Sequence, residues 1–546
     1  MFWVGTGSGK AGRAQSVSGK MGWIEARGAS NLFQVKHLHP LILAAFVLAT
    51  VHGPVLAADI TVSNATELQN AIAGAQGGDT ILLQSGAYGD LTISGRNPGS
   101  TVVIRAATGA TPVFSHIRIQ NSRNWVLAGI DVRPRYASGA DGTNAVVLDG
   151  DYLVLEDSRI NYADTIAGWS AADWLARAGN GLSMDGSHLT VRRNTFTVVD
   201  HGINNSAIYS LVSDNLIANF RGDGIRGLAD HAVYEYNTIK NSYAVDDNHD
   251  DGFQSWSYGS GGVGTGVVRA VTLRGNTIIN FEDPNQPYRS TLQGIGLFDG
   301  MFEGWVVENN LVITDHWHGI SFYGAVNCRI VNNTVIDNDL APSPDPWIMV
   351  HDHKNGTPSS GVIVRNNLAT DFSLEGGVTA DHNLEITMAN AGAYFVNPSG
   401  GNGDYHLKPT SPAIDGGTGA GAPTHDRDGT PRPQRTTWDI GAYEAPPLLA
   451  LHAGPADHAI HLSWAVNTTL PPTTTWRIIY TGPSGDPASP ITGLPEPTRS
   501  QSLTGLTNYT LYSVTVNAML DGTPVLTETV TAMPTDRLVV LPQIAR

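Results

Sequence analysis

Seven short, apolar-alternating strands recur along the middle of the chain, each ending in asparagine: HLTVRRNTF, YSLVSDNLI, HAVYEYNTI, AVTLRGNTI, GWVVENNLV, NCRIVNNTV and GVIVRNNLA. Their anchors are Asn194, Asn215, Asn237, Asn276, Asn310, Asn333 and Asn367, at intervals of 21, 22, 39, 34, 23 and 34 residues. The basic unit is near 22 residues, with some units lengthened by insertion. One such unit, three short strands joined by bends, cannot bury its apolar face alone and must stack on its neighbours. The expected fold is therefore all-β, a parallel β-helix. Its asparagines sit at bends, where the residue tolerates left-handed backbone angles, and each amide bonds to the one a coil away.

The bulk numbers agree and exclude some partners. In 546 residues only 15 % are charged and 61 are Gly, which suits strands and tight turns. A net charge of −17 argues against nucleic acid, whose binding needs clustered Lys and Arg. An anionic glycan would need local basic residues or a bound divalent cation to dock. Cys328 is the single cysteine, so no internal disulfide exists and packing must supply the stability. The apolar run LILAAFVLATV at 41–51, preceded by Lys36 and followed by Ala57 and Ala58, reads as a secretory signal within a long N-terminal region, 1–57. Met21 is a candidate start. A secreted or cell-surface monomer without a membrane span in its mature form is expected.

TELQNAIAGA offers a short amphipathic helix to cap the open end of the stack. The strands that follow, in GGDTILLQSGAYGDLTISG, TVVIRA and WVLAGIDV, together with that helix resemble the first turns of the polysaccharide lyase families that include alginate and chondroitin lyases. DYHLKPTSPAIDGG, DRDGTPRP and WDIGAYE resemble the segment that closes many secreted right-handed β-helix proteins. The resemblance implies a right-handed, pectin lyase-like β-helix over 58–445 and a polysaccharide substrate. From 446 to 535 the composition turns Thr- and Pro-rich. The strands AIHLSWAV, TWRIIYT and LYSVTV resemble a fibronectin type III sandwich, with Trp464 in the core and Leu506 and Tyr512 forming a tyrosine corner. Residues 536–546 form a C-terminal tail.

Aligning the asparagine anchors exposes a second row: Asn180, His201, Asp223, Asp251, Gln293 and His318, each followed by Gly. Two positions beyond the Gly come Ser183, Asn204, Arg226, Gln254, Gly296 and Ser321. Adjacent coils lie roughly 4.8 Å apart, so Asp223 and Asp251 are expected to be lateral neighbours that perturb each other's pKa. The run VDDNHDDGFQSW adds Asp246, Asp247, His249 and Asp250. Trp256, and Trp317 and Tyr323 around His318, supply rings on which sugars stack. Asn180, Asn204, Gln254 and Gln293 add polar contacts.

Two mechanisms fit. In a lyase acting on a uronate polysaccharide by β-elimination, the leading expectation, Arg226, Arg221 and His249 are base or charge-neutralising candidates, with Asp247, Asp250 and Asp251 as calcium ligands. In a glycoside hydrolase, Asp223 and Asp251 or Asp250 divide the acid and base roles. The order of these Asp residues and the later HGISFYG are similar to polygalacturonase motifs, without a downstream RIK. The NGGE-type motif of the alginate lyase branch is missing too. A glycan-binding or adhesive β-helix without turnover is the third class. His201 and His318 complete the candidate catalytic set.

Overall fold

The computed structural model describes residues 57–289, 291–338, 345–482 and 490–537. The expected signal region, apart from Ala57, and the expected tail beyond Arg537 lie outside the described residues. Strands from Asp59–Val62 to Leu384–Glu385 pair in parallel, coil upon coil, in one sheet of 13 strands, a second of 21 and a small third of three among the described residues. The interior is stacked rather than layered. Ile203, Ile225, Phe253, Ile295, Ile320 and Ile348 follow one another in register, one per coil, all buried. A helix, Ala65–Gly74, packs Leu68, Ala71 and Ile72 onto the same core; Asn64 caps it by accepting from the Glu67 amide at 3.0 Å.

The asparagine ladder is continuous. From Asn194 to Asn367 each anchor donates its backbone N–H and its side-chain N–H2 to the side-chain oxygen of the next, at 2.9–3.1 Å, and the run gains an eighth member, Asn383. One expectation is corrected. The left-handed residue is not the anchor but the residue before it: Arg193, Asp214, Tyr236, Gly275, Asn309, Asn332, Asn366 and His382 have φ between 51° and 63°. The ladder bonds hold the anchor, and the strain of the bend falls on its predecessor.

The segment bearing DRDGTPRP and WDIGAYE lies along the flank of the stack. Phe395, Tyr405, Ile440 and Tyr443 cluster with Ile279, Ile313, Ile336 and Leu368. Its charged motif is internal wiring, with Arg432 donating to Glu444 at 2.7 Å, both fully buried. Beyond it, a three-stranded and a four-stranded antiparallel sheet share one core around Trp464 and Trp476, compatible with a small β-sandwich. The Tyr512 hydroxyl accepts from the Thr507 amide at 3.1 Å, and Leu506 is buried beside it. Among the described residues no helix is long and apolar enough to cross a membrane.

Candidate functional site

The second row forms because a column of glycines lets the coils close up beside it. A Cβ on Gly224 would sit 2.5 Å from the Gly252 carbonyl oxygen and 2.4 Å from Ile239, so no side chain fits there. On one side of this column each polar residue ties to the next coil through its backbone: Asn180 Oδ1 accepts from the His201 amide at 3.4 Å, His201 Nδ1 from the Asp223 amide at 2.8 Å, and Asp223 Oδ1 from the Asp251 amide at 3.0 Å. The sequence stops there. Gln293 donates its amide to the Asp250 carbonyl instead, and Asp251 Oδ1 is buried without a hydrogen-bond partner, as is Gln293 Oε1. On the other side Ser183, Asn204, Arg226 and Gln254 pair in register, and Gly296 and Ser321 continue the row. His201, Asp223, Asp251 and His318 thus share one face of the stack.

Burial separates these residues into two kinds. The side chains of Asp223 and Asp251 are 1 % and 0 % exposed, whereas His249 is 70 % and Arg226 25 % exposed. Each buried carboxylate backs one exposed cation. Arg226 donates through Nε to Asp223 Oδ2 at 2.5 Å and lies over the Trp256 ring at 5.5 Å. Its terminal nitrogens donate to nothing among the described residues. His249 Nδ1 stands 3.8 Å from Asp251 Oδ2, which also accepts from Gln254 at 2.7 Å. Burial raises both carboxyl pKa values, Asp251 to about 7; contact with Asp251 raises His249 to about 9.

Several expected roles do not fit this wiring. His201 is 14 % exposed, burial lowers its pKa to about 3, and its Nδ1 accepts from the Asp223 amide, so that nitrogen is used to hold two coils together. His318 is likewise kept neutral by burial, at about 3, with Nδ1 engaged by Ser321 and Trp347. Arg221, 4 % exposed, is spent on Asp141, Asp200 and Asp246 and cannot meet a substrate. Asp247, Asp250 and Asp251 do not converge on one point in this arrangement. Asp250 turns to Ser242 and Asn248, Asp251 to Gln254 on the groove side, Asp247 lies exposed, and no group of three His, Cys, Asp or Glu among the described residues is arranged to hold a metal.

The aromatic rim is broader than the sequence suggests. Trp317 is exposed and meets His316, while Tyr323 and the unforeseen Phe298 both lie under Lys354, at 5.4 and 5.7 Å. Phe298 and Asp251 Oδ1 crowd the space that a Gly296 Cβ would fill, so rim and carboxylates are contiguous. Lys354 is anchored by Asp299 at 3.0 Å.

Burial also sets a pH dependence of stability. Asp250 is pushed to about 8 and Asp251 to about 7 by desolvation, and His249 to about 9 by Asp251. His406, beside Asp428 and Asp404, is raised likewise to about 9. All four bind more protons folded than unfolded, so stability is expected to fall as pH rises from about 6.5 to about 9. Below about 6.5 the buried, neutral His201, His316 and His318 act oppositely, because only the unfolded chain takes up their protons. Melting temperatures across this range should peak near its lower end. Asp250→Asn should raise the value at the alkaline end and flatten the slope; an unchanged slope would exclude Asp250 as a source.

A family model described as a right-handed β-helix region matches residues 180–369. No curated protein matches. Among solved structures, the chain is similar to the pectate lyase Pel9A, with 14 % identity over 71 % of this chain and 96 % of that one and a TM-score of 0.42. It is also similar to a PL6 family polysaccharide lyase from Pseudopedobacter saltans (14 %, 60 % and 93 %, 0.35). The Dettilon tailspike protein aligns at 15 % identity over 83 % of this chain and 74 % of that one, with a TM-score of 0.37. With the parallel strands and their repeat, the family match makes the larger part of this chain a right-handed parallel β-helix.

Proposed function

We propose that the protein is a secreted polysaccharide lyase that cleaves a uronate-containing chain by β-elimination on the face bearing Arg226 and His249. The observation that carries this reading is the pairing of two cations that reach solvent, Arg226 partly and His249 largely exposed, with two buried carboxylates. Buried groups with 0–1 % exposure do not reach a glycosidic bond, so a hydrolytic Asp223–Asp251 pair fits poorly. The groups that do reach the groove are a guanidinium with free terminal nitrogens and an imidazole.

Elimination needs both. The terminal nitrogens of Arg226 match a uronate carboxylate in bidentate fashion and stabilise the charge that develops on it when the neighbouring proton leaves. Asp223 fixes the fork from behind. His249 in its neutral form takes that proton, the bond to the leaving sugar oxygen breaks, and the oxygen is protonated from solvent. Trp256, Trp317 and Tyr323 offer faces for sugar rings.

Because Asp251 holds His249 in its charged form up to about pH 9, kcat/KM is expected to rise with pH toward that value. Incubation with a panel of acidic and neutral polysaccharides tests the reading, following unsaturated-uronate absorbance and reducing ends together. Unsaturated product from an acidic member is expected. Reducing ends without it would establish hydrolysis, and binding without either product would make the groove adhesive.

A further inference from the structure

The polar row does not begin at Ser183. Register pairing carries it further toward the N-terminus, through Val147 to Arg118 and Thr92, so that Arg118 and Arg226 stand in one row four coils apart. At one coil per strand spacing they are separated by roughly 19 Å. Arg118 is exposed and its side chain has no hydrogen-bond or ion-pair partner among the described residues, so its guanidinium is open to a ligand.

It also stands in a built pocket. A cavity of about 390 Å³ is lined by Asp90, Thr92, His116, Arg118, Tyr136 and Asn144, among others. His116 is held from both sides, by Asp90 at 3.1 Å and by the Tyr136 hydroxyl at 3.0 Å, and Tyr136 stacks on Tyr162 at 6.1 Å. Asn144 pairs in register with Asn180, so the other polar row reaches this pocket as well. Both rows of the candidate site therefore continue in register from the pocket to Arg226 and Asp251, with Val147 the one apolar member.

We propose that this pocket is a distal subsite for an anionic, repeating polysaccharide, with Arg118 binding an acidic group several sugars away from the one held by Arg226. The proposal rests on the groove reading above and deepens it: the ligand must carry negative charge at more than one position along its length, as a polyuronate does. A single acidic sugar would engage one arginine only. The gain over a single contact comes from a second charge-assisted contact made by a chain already bound.

The test uses the full chain with polygalacturonate and alginate as probes and dextran as the neutral control, comparing dissociation constants of the parent, Arg118→Gln and Arg118→Lys at low and moderate ionic strength. At least one uronan should bind, about tenfold or more weaker to Arg118→Gln, with Arg118→Lys in between and the difference shrinking with salt. Dextran binding should be indifferent to the substitution. Uronan affinity unchanged in Arg118→Gln, equal weakening toward dextran, or no binding of either uronan would overturn the subsite. Cleavage assays keep the two readings apart. A uronan bound through Arg118 but never cleaved would remove the lyase reading alone, and a uronan cleaved with the same KM by parent and Arg118→Gln would remove the subsite alone.

Discussion

Replacing His249 by Gln is expected to cut turnover of the cleaved uronan by about 10²- to 10⁴-fold, the usual contribution of a positioned proton-transfer group. The melting temperature should fall only modestly near neutral pH, since the side chain is 70 % exposed and what is lost is its contact with Asp251. A companion variant separates chemistry from architecture. Asp251→Asn preserves shape and the contact with Gln254 but removes the charge that raises His249 to about 9. Its activity should fall less than that of His249→Gln, and its pH profile should move toward the ordinary imidazole range. Loss of activity with no shift in profile would assign the proton transfer to another group. Equal loss of activity and stability in both variants would make the whole acidic run architectural.

The stack was legible because a β-helix repeats its constraints. One asparagine per coil, an apolar residue at a fixed offset and a glycine beside a polar residue recur closely enough to be aligned without any structure. What the repeat does not display is which residue of a turn carries the left-handed angle. Arg193, Tyr236 and His382 are unremarkable choices for that conformation, and they adopt it because the anchor after each is bonded to its neighbours.

The site was legible as a face but not as a mechanism. Sequence offset places Asp223 and Arg226 together, yet only the structure shows that the carboxylate is enclosed while the guanidinium stays partly open to solvent. The offset cannot reveal that Arg221 is enclosed by three carboxylates, one of them Asp141, 80 residues distant. Phe298 joined the rim unannounced because it belongs to a lengthened coil, between Asn276 and Asn310, where offset from the anchor is lost. The Arg118 end of the groove was missed for a related reason: the asparagine anchor is absent from the first coils, so no alignment carried the row past Asn180.

The largest loss of stability is expected from breaking the ladder at its middle. Asn237 is fully buried; its amide donates to Asn276 Oδ1 at 3.0 Å and to the Val212 carbonyl at 2.9 Å, and its oxygen accepts from the backbone and side chain of Asn215. Asn237→Ala removes all of these and leaves the Asn215 backbone N–H and one of its two side-chain N–H hydrogens buried without their acceptor, at about 1–3 kcal/mol for each group left unsatisfied. Because neighbouring losses overlap, a total of about 3–5 kcal/mol is expected in denaturant unfolding. Asn383→Ala provides the contrast. That residue is the last rung, only partly buried, and donates to the Val364 carbonyl while accepting from Asn367. Water can replace much of what it supplies, so about 1 kcal/mol is expected. Comparable costs at the two positions would mean that the ladder's contribution comes from bend geometry rather than from buried amide pairing, since the bend is common to both and burial is not.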